Sequence, residues 1–218
     1  MQDIMIRLDN ISHKFGSNTV LDEINLAIGK GEVVGIVGTN GCGKTTLLKI
    51  ILGFIYPTSG TVIVDGKKIE PGILGALPTR VGALIESPSF LPYLNGFENL
   101  EILALIRNEI DKKKIKDIME YVGLDSNSTK KVSQYSLGMK QRLGIAQAIM
   151  EDQNILLFDE PTNALDIKGV DMFIDLVQKA VANRKTVILV SHRQDEIALL
   201  CNRVFLLENG SISLIKEQ

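Results

Sequence analysis

The sequence predicts an α/β fold with a mixed, mainly parallel sheet, an antiparallel β subdomain at its N-terminus and an inserted helical subdomain. Three observations predict it. The opening stretch consists of short Val- and Ile-rich runs separated by turn residues. From about Gly96 to Met150 the spacing is helical, with almost no β signature. After that, strand and helix alternate, which implies a parallel sheet with ligands at the carboxyl ends of its strands.

In chain order, Met5–Ile11, Val20–Ile28 and Glu32–Val37 read as strands. Thr61–Val64 and Lys67–Ile69 flank Asp65-Gly66, a hairpin signal, and Asn209-Gly210 repeats it between Val204–Leu207 and Ser211–Ile215. Arg80–Ile85 reads as a further strand. In the helical stretch, Asp111 caps a helix carrying Ile115, Ile118, Met119 and Val122, which Gly123 ends. Ser136 caps another that runs through Met150. The final alternation is Ile155–Phe158, Lys168–Ala182, Thr186–Val190 and Asp195–Leu200. No repeat or linker divides the chain, so a single domain over 1–218 is expected, with 1–86 and 151–218 forming the core and 87–150 the helical subdomain.

Composition narrows the function classes. The 218 residues are 45% hydrophobic and carry a net charge of −2, without the basic footprint of a nucleic-acid-binding domain. Apolar runs such as Ile50–Ile55 fall far short of the roughly 20 residues a membrane span requires. No signal peptide is visible, and a soluble, unprocessed chain is expected. Two cysteines, Cys42 and Cys201, and two histidines build neither a disulfide framework nor a metal cluster.

Gly38-Thr39-Asn40-Gly41-Cys42-Gly43-Lys44-Thr45 matches the phosphate-loop pattern at every fixed position, between the strand Val33–Val37 and the apolar helix Leu47–Leu52. This context defines the core of a P-loop nucleoside triphosphatase. Glycines turn backbone N–H groups inward to cradle phosphates, and the helix N-terminus adds a positive dipole end. The nucleotide-binding set is therefore Gly38, Asn40, Gly41, Cys42, Gly43, Lys44, Thr45 and Thr46. Lys44 is expected to reach the β- and γ-phosphates and Thr45 to ligate Mg²⁺. Cys42 stands at a variable position and reads most simply as a small filler.

Ile155–Phe158 is an apolar strand that ends in two carboxylates, Asp159 and Glu160. At the carboxyl end of a parallel sheet, Asp159 is placed to hold Mg²⁺ and Glu160 to orient the attacking water. Taken alone, such a pair is equally an acidic surface turn. His192 follows Thr186–Val190 at the same sheet edge, where a lone histidine is more often a capping residue. Lys44, Glu160 and His192 form the expected catalytic set.

With these motifs in place the chain resembles the ATP-binding subunits of ATP-binding-cassette (ABC) transporters over essentially its whole length. Tyr135-Ser136-Leu137-Gly138-Met139-Lys140-Gln141-Arg142 stands where that family has Leu-Ser-Gly-Gly-Gln. The resemblance implies that Ser136 and Gly138 bind the γ-phosphate of ATP held by a second copy, head to tail. It also implies that Phe15 stacks on adenine and that Asp166 lies in a loop facing the other protomer. By their residue types alone, Phe15 is a core aromatic and Ser136 and Asp166 are helix caps. The family's glutamine after Arg80–Ile85 is Glu86 here, implied to be a third Mg²⁺ ligand beside Thr45 and Asp159.

Glu86 together with Ser-Leu-Gly-Met resembles the subgroup that exports bacitracin and lantibiotics. The resemblance then implies ATP and Mg²⁺ as cofactors, a second ATP-binding subunit, and a separate integral membrane permease at the cytoplasmic face of a bacterial membrane. No nucleic-acid partner is expected. An ABC ATPase energising export of another substrate (a drug, an ion or a polysaccharide), a soluble cassette ATPase of translation or DNA repair, and a nucleotide sensor without turnover remain as rivals.

Overall fold

The computed structural model describes residues 3–70, 78 and 80–217. Two long strands open the chain, β1 (Ile4–Phe15) and β2 (Asn18–Gly29). They join β4 (Ser59–Val64) and β5 (Lys67–Lys68) in an antiparallel sheet ordered β2-β1-β4-β5. A second, six-stranded sheet is built from β3 (Val33–Val37), β6 (Val81–Leu84), β7 (Ile155–Asp159), β8 (Thr186–Val190), β9 (Arg203–Glu208) and β10 (Ser211–Glu217). Its order is β10-β9-β3-β8-β7-β6; only β10 runs antiparallel, through the Asn209-Gly210 hairpin. The α/β class with mixed sheet and antiparallel N-terminal sheet is therefore as expected.

Several boundaries differ from the sequence reading. β1 runs on to Phe15 because its alternation breaks at bulges without ending the pairing, and β2 extends slightly at both ends to match it. Asn10 and Glu23 take left-handed backbone conformations (φ 50° and 49°), and the strands then re-pair at Ile11–Ile24 and His13–Leu21. β5 is shorter than expected, and β6 is trimmed to four residues.

Helix α1 spans Lys44–Ile51, so it starts within the phosphate loop and not at the first apolar residue. Between β6 and β7 lie α2 (Gly96–Arg107), α3 (Lys112–Tyr121) and α4 (Leu137–Ile149). α5 (Ile167–Ala182) and α6 (Gln194–Leu200) complete the α/β alternation. Side chains close α2 to α5: Asn95 and Glu98 form a reciprocal capping box, and Asp111, Ser136 and Asp166 each accept an N–H two or three residues into their helix.

The central strands β3, β7 and β8 are buried on both faces, and period-2 alternation divides their side chains between two cores. Val33, Leu156, Phe158, Val187 and Leu189 face the helices α2 to α6. Val34, Ile36, Ile155, Leu157, Ile188 and Val190 face α1 and the antiparallel sheet. Asp159, two residues beyond Leu157, therefore emerges on the α1 side.

Phe158 is fully buried and meets the Phe173 ring edge-on, with centroids 5.0 Å apart. Truncating Phe158→Ala removes this contact from the helix-side core. Denaturant unfolding should show a loss of about 3–5 kcal/mol; a loss below about 1 kcal/mol would mean that the core refills the site.

Candidate functional site

The phosphate loop joins β3 to α1 and is shaped by close backbone approaches. A Cβ on Gly38 (φ 155°) would fall 2.3 Å from the Leu207 carbonyl oxygen and 2.8 Å from Cys42 Sγ, so only glycine fits. Unlike α2 to α5, helix α1 has no side-chain cap, and its first turn carries no acidic residue. Its N-terminal N–H groups and dipole are left facing the loop, the arrangement that suits an anion. Lys44 is 7% exposed, and its ammonium spans the loop, donating to the Gly38 and Thr39 carbonyls at 2.9 Å each.

A cavity of about 320 Å³ opens over this loop. Its wall includes Phe15, Asn40, Gly41, Gly43, Lys44, Thr45 and Thr46 from the N-terminal third, together with Asp159, Glu160 and His192. Phe15 is half-exposed and braced edge-on by the buried His13 ring, 4.5 Å between centroids. Gly38 and Cys42 do not line this cavity; Gly38 lines a neighbouring one with Ser191 and His192, and Cys42 packs against the α1-side core.

The Thr45 hydroxyl donates to Asp159 Oδ2 at 2.6 Å, joining the first turn of α1 to the end of β7. Desolvation pushes the Asp159 carboxyl above its ordinary pKa, partly offset by the Thr45 hydrogen bond and the Lys44 and Lys49 charges. An oxygen-only pair, desolvated and facing the phosphate loop, fits a hard divalent cation. Glu160 follows in a left-handed conformation (φ 50°), with its N–H bonded to the Val190 carbonyl at 2.9 Å. Its carboxylate stands 3.1 Å from His192 Nε2. Burial raises the Glu160 pKa, and the His192 charge works against that shift.

Glu86 sits just past β6 with φ 58° and forms an ion pair with Lys49 of α1 at 2.8 Å. It lines a second cavity, shared with Thr45 and Asp159, but its carboxylate is turned to Lys49. Ser136 and Gly138 do not line the nucleotide cavity. Ser136 is exposed, and its hydroxyl accepts the Met139 N–H at 3.2 Å. Gly138 lies so close to the Ala164 carbonyl that an added Cβ would be 2.8 Å from its oxygen.

The profile of the ABC transporter family matches residues 21–163, which include the phosphate loop, the Ser136 segment and the carboxylate pair. The chain belongs to the ABC transporter family. Among its relatives, the bacitracin transport ATP-binding protein BcrA of Enterococcus faecalis is 38% identical over 213 residues, covering 97% of this chain and 69% of the relative. The lantibiotic transport ATP-binding protein SrtF of Streptococcus pyogenes is 32% identical over 213 residues, covering 98% and 91%. A dimeric ATP-binding cassette in a post-hydrolysis state, bound to ADP and Pi, superimposes with a TM-score of 0.90 at 28% identity, covering 98% and 99%. The chain is an ABC ATPase, the ATP-binding subunit of a transporter.

In this cassette most of the residues expected to bind phosphate and catalyse line one cavity; Gly38, Cys42 and the Ser136–Gly138 segment do not. Sequence reading missed the ties that hold that segment to the site. Gln141 Nε2 donates to the carbonyls of Glu160 and Pro161 at 3.3 and 2.8 Å. Arg142 donates to the Val122 carbonyl and to Asp166 Oδ1, both at 2.6 Å, while Asp166 caps α5 through Gly169 N–H. Both residues were in plain view beside Ser136, but their targets lie about twenty residues away in sequence, and no spacing rule reaches them.

Replacing Gln141→Leu takes this donor from the buried Pro161 carbonyl and leaves the Glu160 carbonyl to the longer Asn163 N–H bond at 3.4 Å. Unfolding should show a loss of about 1–3 kcal/mol. The accompanying fall in ATP turnover should appear in kcat with KM nearly unchanged; the reverse split would show that Gln141 serves binding instead.

Proposed function

We propose that this cassette powers the export of a bacitracin- or lantibiotic-like antimicrobial peptide, working at the cytoplasmic face of a bacterial membrane through a permease on another chain. One observation carries the mechanism: Lys44, Thr45, Asp159, Glu160 and His192 line one cavity, whereas Ser136 and Gly138 do not line it. A segment suited to γ-phosphate but excluded from its own cavity is completed by a second copy, head to tail. That the related cassette structure is dimeric supports this reading. The peptide substrate is supported by the names of the BcrA and SrtF relatives and by Glu86 with the Ser-Leu-Gly-Met segment. Among the described residues no helix is long and apolar enough to cross a membrane, in keeping with a permease supplied separately. Residues 1–86 and 151–218 would act as the nucleotide core and 87–150 as the lobe that meets the permease.

In this mechanism adenine stacks on Phe15, and the phosphates lie on the loop N–H groups and the Lys44 ammonium. Glu160 orients water for attack on the γ-phosphorus and takes its proton as the bond to the bridging oxygen breaks. ADP and phosphate are the products. His192 contacts the γ-phosphate and holds the Glu160 carboxylate on its other side. Thr45 and Asp159 would hold Mg²⁺, which supplies charge neutralisation on the phosphates. Closing two copies over two ATP ties the dimer to the nucleotide, so hydrolysis removes the bias toward closure.

Glu160→Gln should cut turnover about 10²–10⁴-fold while ATP binding persists and ATP-dependent dimers accumulate on size exclusion. Near-normal hydrolysis in this variant removes Glu160 from the base role. Glu86→Gln should keep most basal hydrolysis yet change resistance to the exported peptide in cells; unchanged resistance at equal expression sinks the coupling role of Glu86.

A further inference from the structure

Glu196 lies in the first turn of α6 and is 1% exposed. A carboxylate taken out of water is costly unless its oxygens are met, and packed apolar side chains would often be as stabilising there. Its partners indicate what the buried charge accomplishes. One oxygen, Oε2, accepts two hydroxyls, from Thr162 at 3.0 Å and from Ser191 at 3.1 Å. The other, Oε1, stands 3.1 Å from Arg193 Nε. Ser191 Oγ in turn accepts the Arg193 N–H at 3.1 Å, so the hydroxyl is held from both directions.

The position of the two hydroxyls in the chain is what matters. Thr162 comes two residues after Glu160, on the loop that leaves β7. Ser191 immediately precedes His192, on the loop that leaves the neighbouring parallel strand β8. Glu160 and His192 meet at 3.1 Å between these same loops. The last pair in register is Asp159 and Val190, after which the Glu160 N–H still bonds the Val190 carbonyl at 2.9 Å and the His192 N–H reaches Glu160 Oε2 at 3.4 Å. In addition the Glu196 carboxylate joins Thr162 of one loop to Ser191 of the other, on a side chain that does not line the nucleotide cavity.

We infer that Glu196 is a positioning residue for ATP hydrolysis: through the Thr162 and Ser191 hydroxyls it sets the separation of the Glu160 loop from the His192 loop. The inference rests on the reading of Glu160 as the base. A rigid tie of this kind acts on the reacting geometry and not on the grip on ATP. Small displacements of positioned groups cost up to about a hundredfold in rate.

The test compares Glu196→Ala, Glu196→Gln, Thr162→Val, Ser191→Ala and Glu160→Gln in the full chain. It measures ATP turnover per folded molecule, with the folded fraction from near-ultraviolet circular dichroism, and affinity for N-methylanthraniloyl-ATP. Glu196→Ala should lower kcat about 10–100-fold while KM and the probe's affinity stay within about twofold. Glu196→Gln keeps an acceptor oxygen for the hydroxyls and should recover most of that loss.

Unchanged kcat in folded Glu196→Ala, or a glutamine variant no better than alanine, overturns the inference. Should Glu196→Ala not fold, Thr162→Val and Ser191→Ala each remove one hydroxyl, and each should lower kcat severalfold. Full turnover in both would be equally fatal. Glu160→Gln separates the two readings. Turnover surviving there overturns the base assignment, whereas turnover lost there but intact in Glu196→Ala overturns the positioning role alone.

Discussion

The site depends on one constraint: three adjacent parallel strands, β3, β8 and β7, stay in register until they deliver their last residues to a common edge. Each is apolar nearly to its end because both faces of the sheet are covered. Polar chemistry can begin only where the cover stops, and it begins on all three at the same level: the phosphate loop after Val37, Ser191 and His192 after Val190, and Asp159 and Glu160 at the end of β7. The Thr45–Asp159 hydrogen bond is the visible result, since alternation sends Asp159 toward α1 and leaves Phe158 to the opposite core.

Charge at that edge is arranged in opposition. Asp159 and Glu160 are both desolvated, and both carboxyls are pushed upward by it. Lys44, Lys49 and His192 surround them, so the acidic pair is tolerated without being neutralised by direct contact alone. Glu86 adds a further negative charge near Asp159, and Lys49 takes it up as an ion pair. The uncapped start of α1 contributes partial positive charge at the same place. The cavity thus offers binding groups to an anion while keeping two carboxylates within its reach.

Much of this was legible in the sequence, because the phosphate loop, the abrupt Asp-Glu after an apolar run and the capping residues are local signals. Asp111, Ser136 and Asp166 cap the helices they were expected to cap, and the two Gly-containing hairpins stand where their dipeptides put them. What escaped was non-local. The register shifts around Asn10 and after Ile11 hide the continuation of β1 to Phe15, since a register shift mimics the end of a strand. The start of α1 at Lys44 was masked by its polar first turn, which is exposed to the ligand cavity and not to the core. Gln141, Arg142, Lys49 and Glu196 look like ordinary surface residues until the chain brings their partners across from other elements.

The spacing along α4 has a mechanical meaning. Leu137, exposed at the head of the helix, and Gln141, bonded to the Glu160 carbonyl, are four residues apart and so share one face a single turn from each other. Arg142 next to it pins the same helix to the end of α3 and to the cap of α5. The first turn and a half of α4 therefore links an exposed side chain directly to the backbone beside the carboxylates. Its outer end is open to touch from outside, and its inner end rests on the backbone of the glutamate.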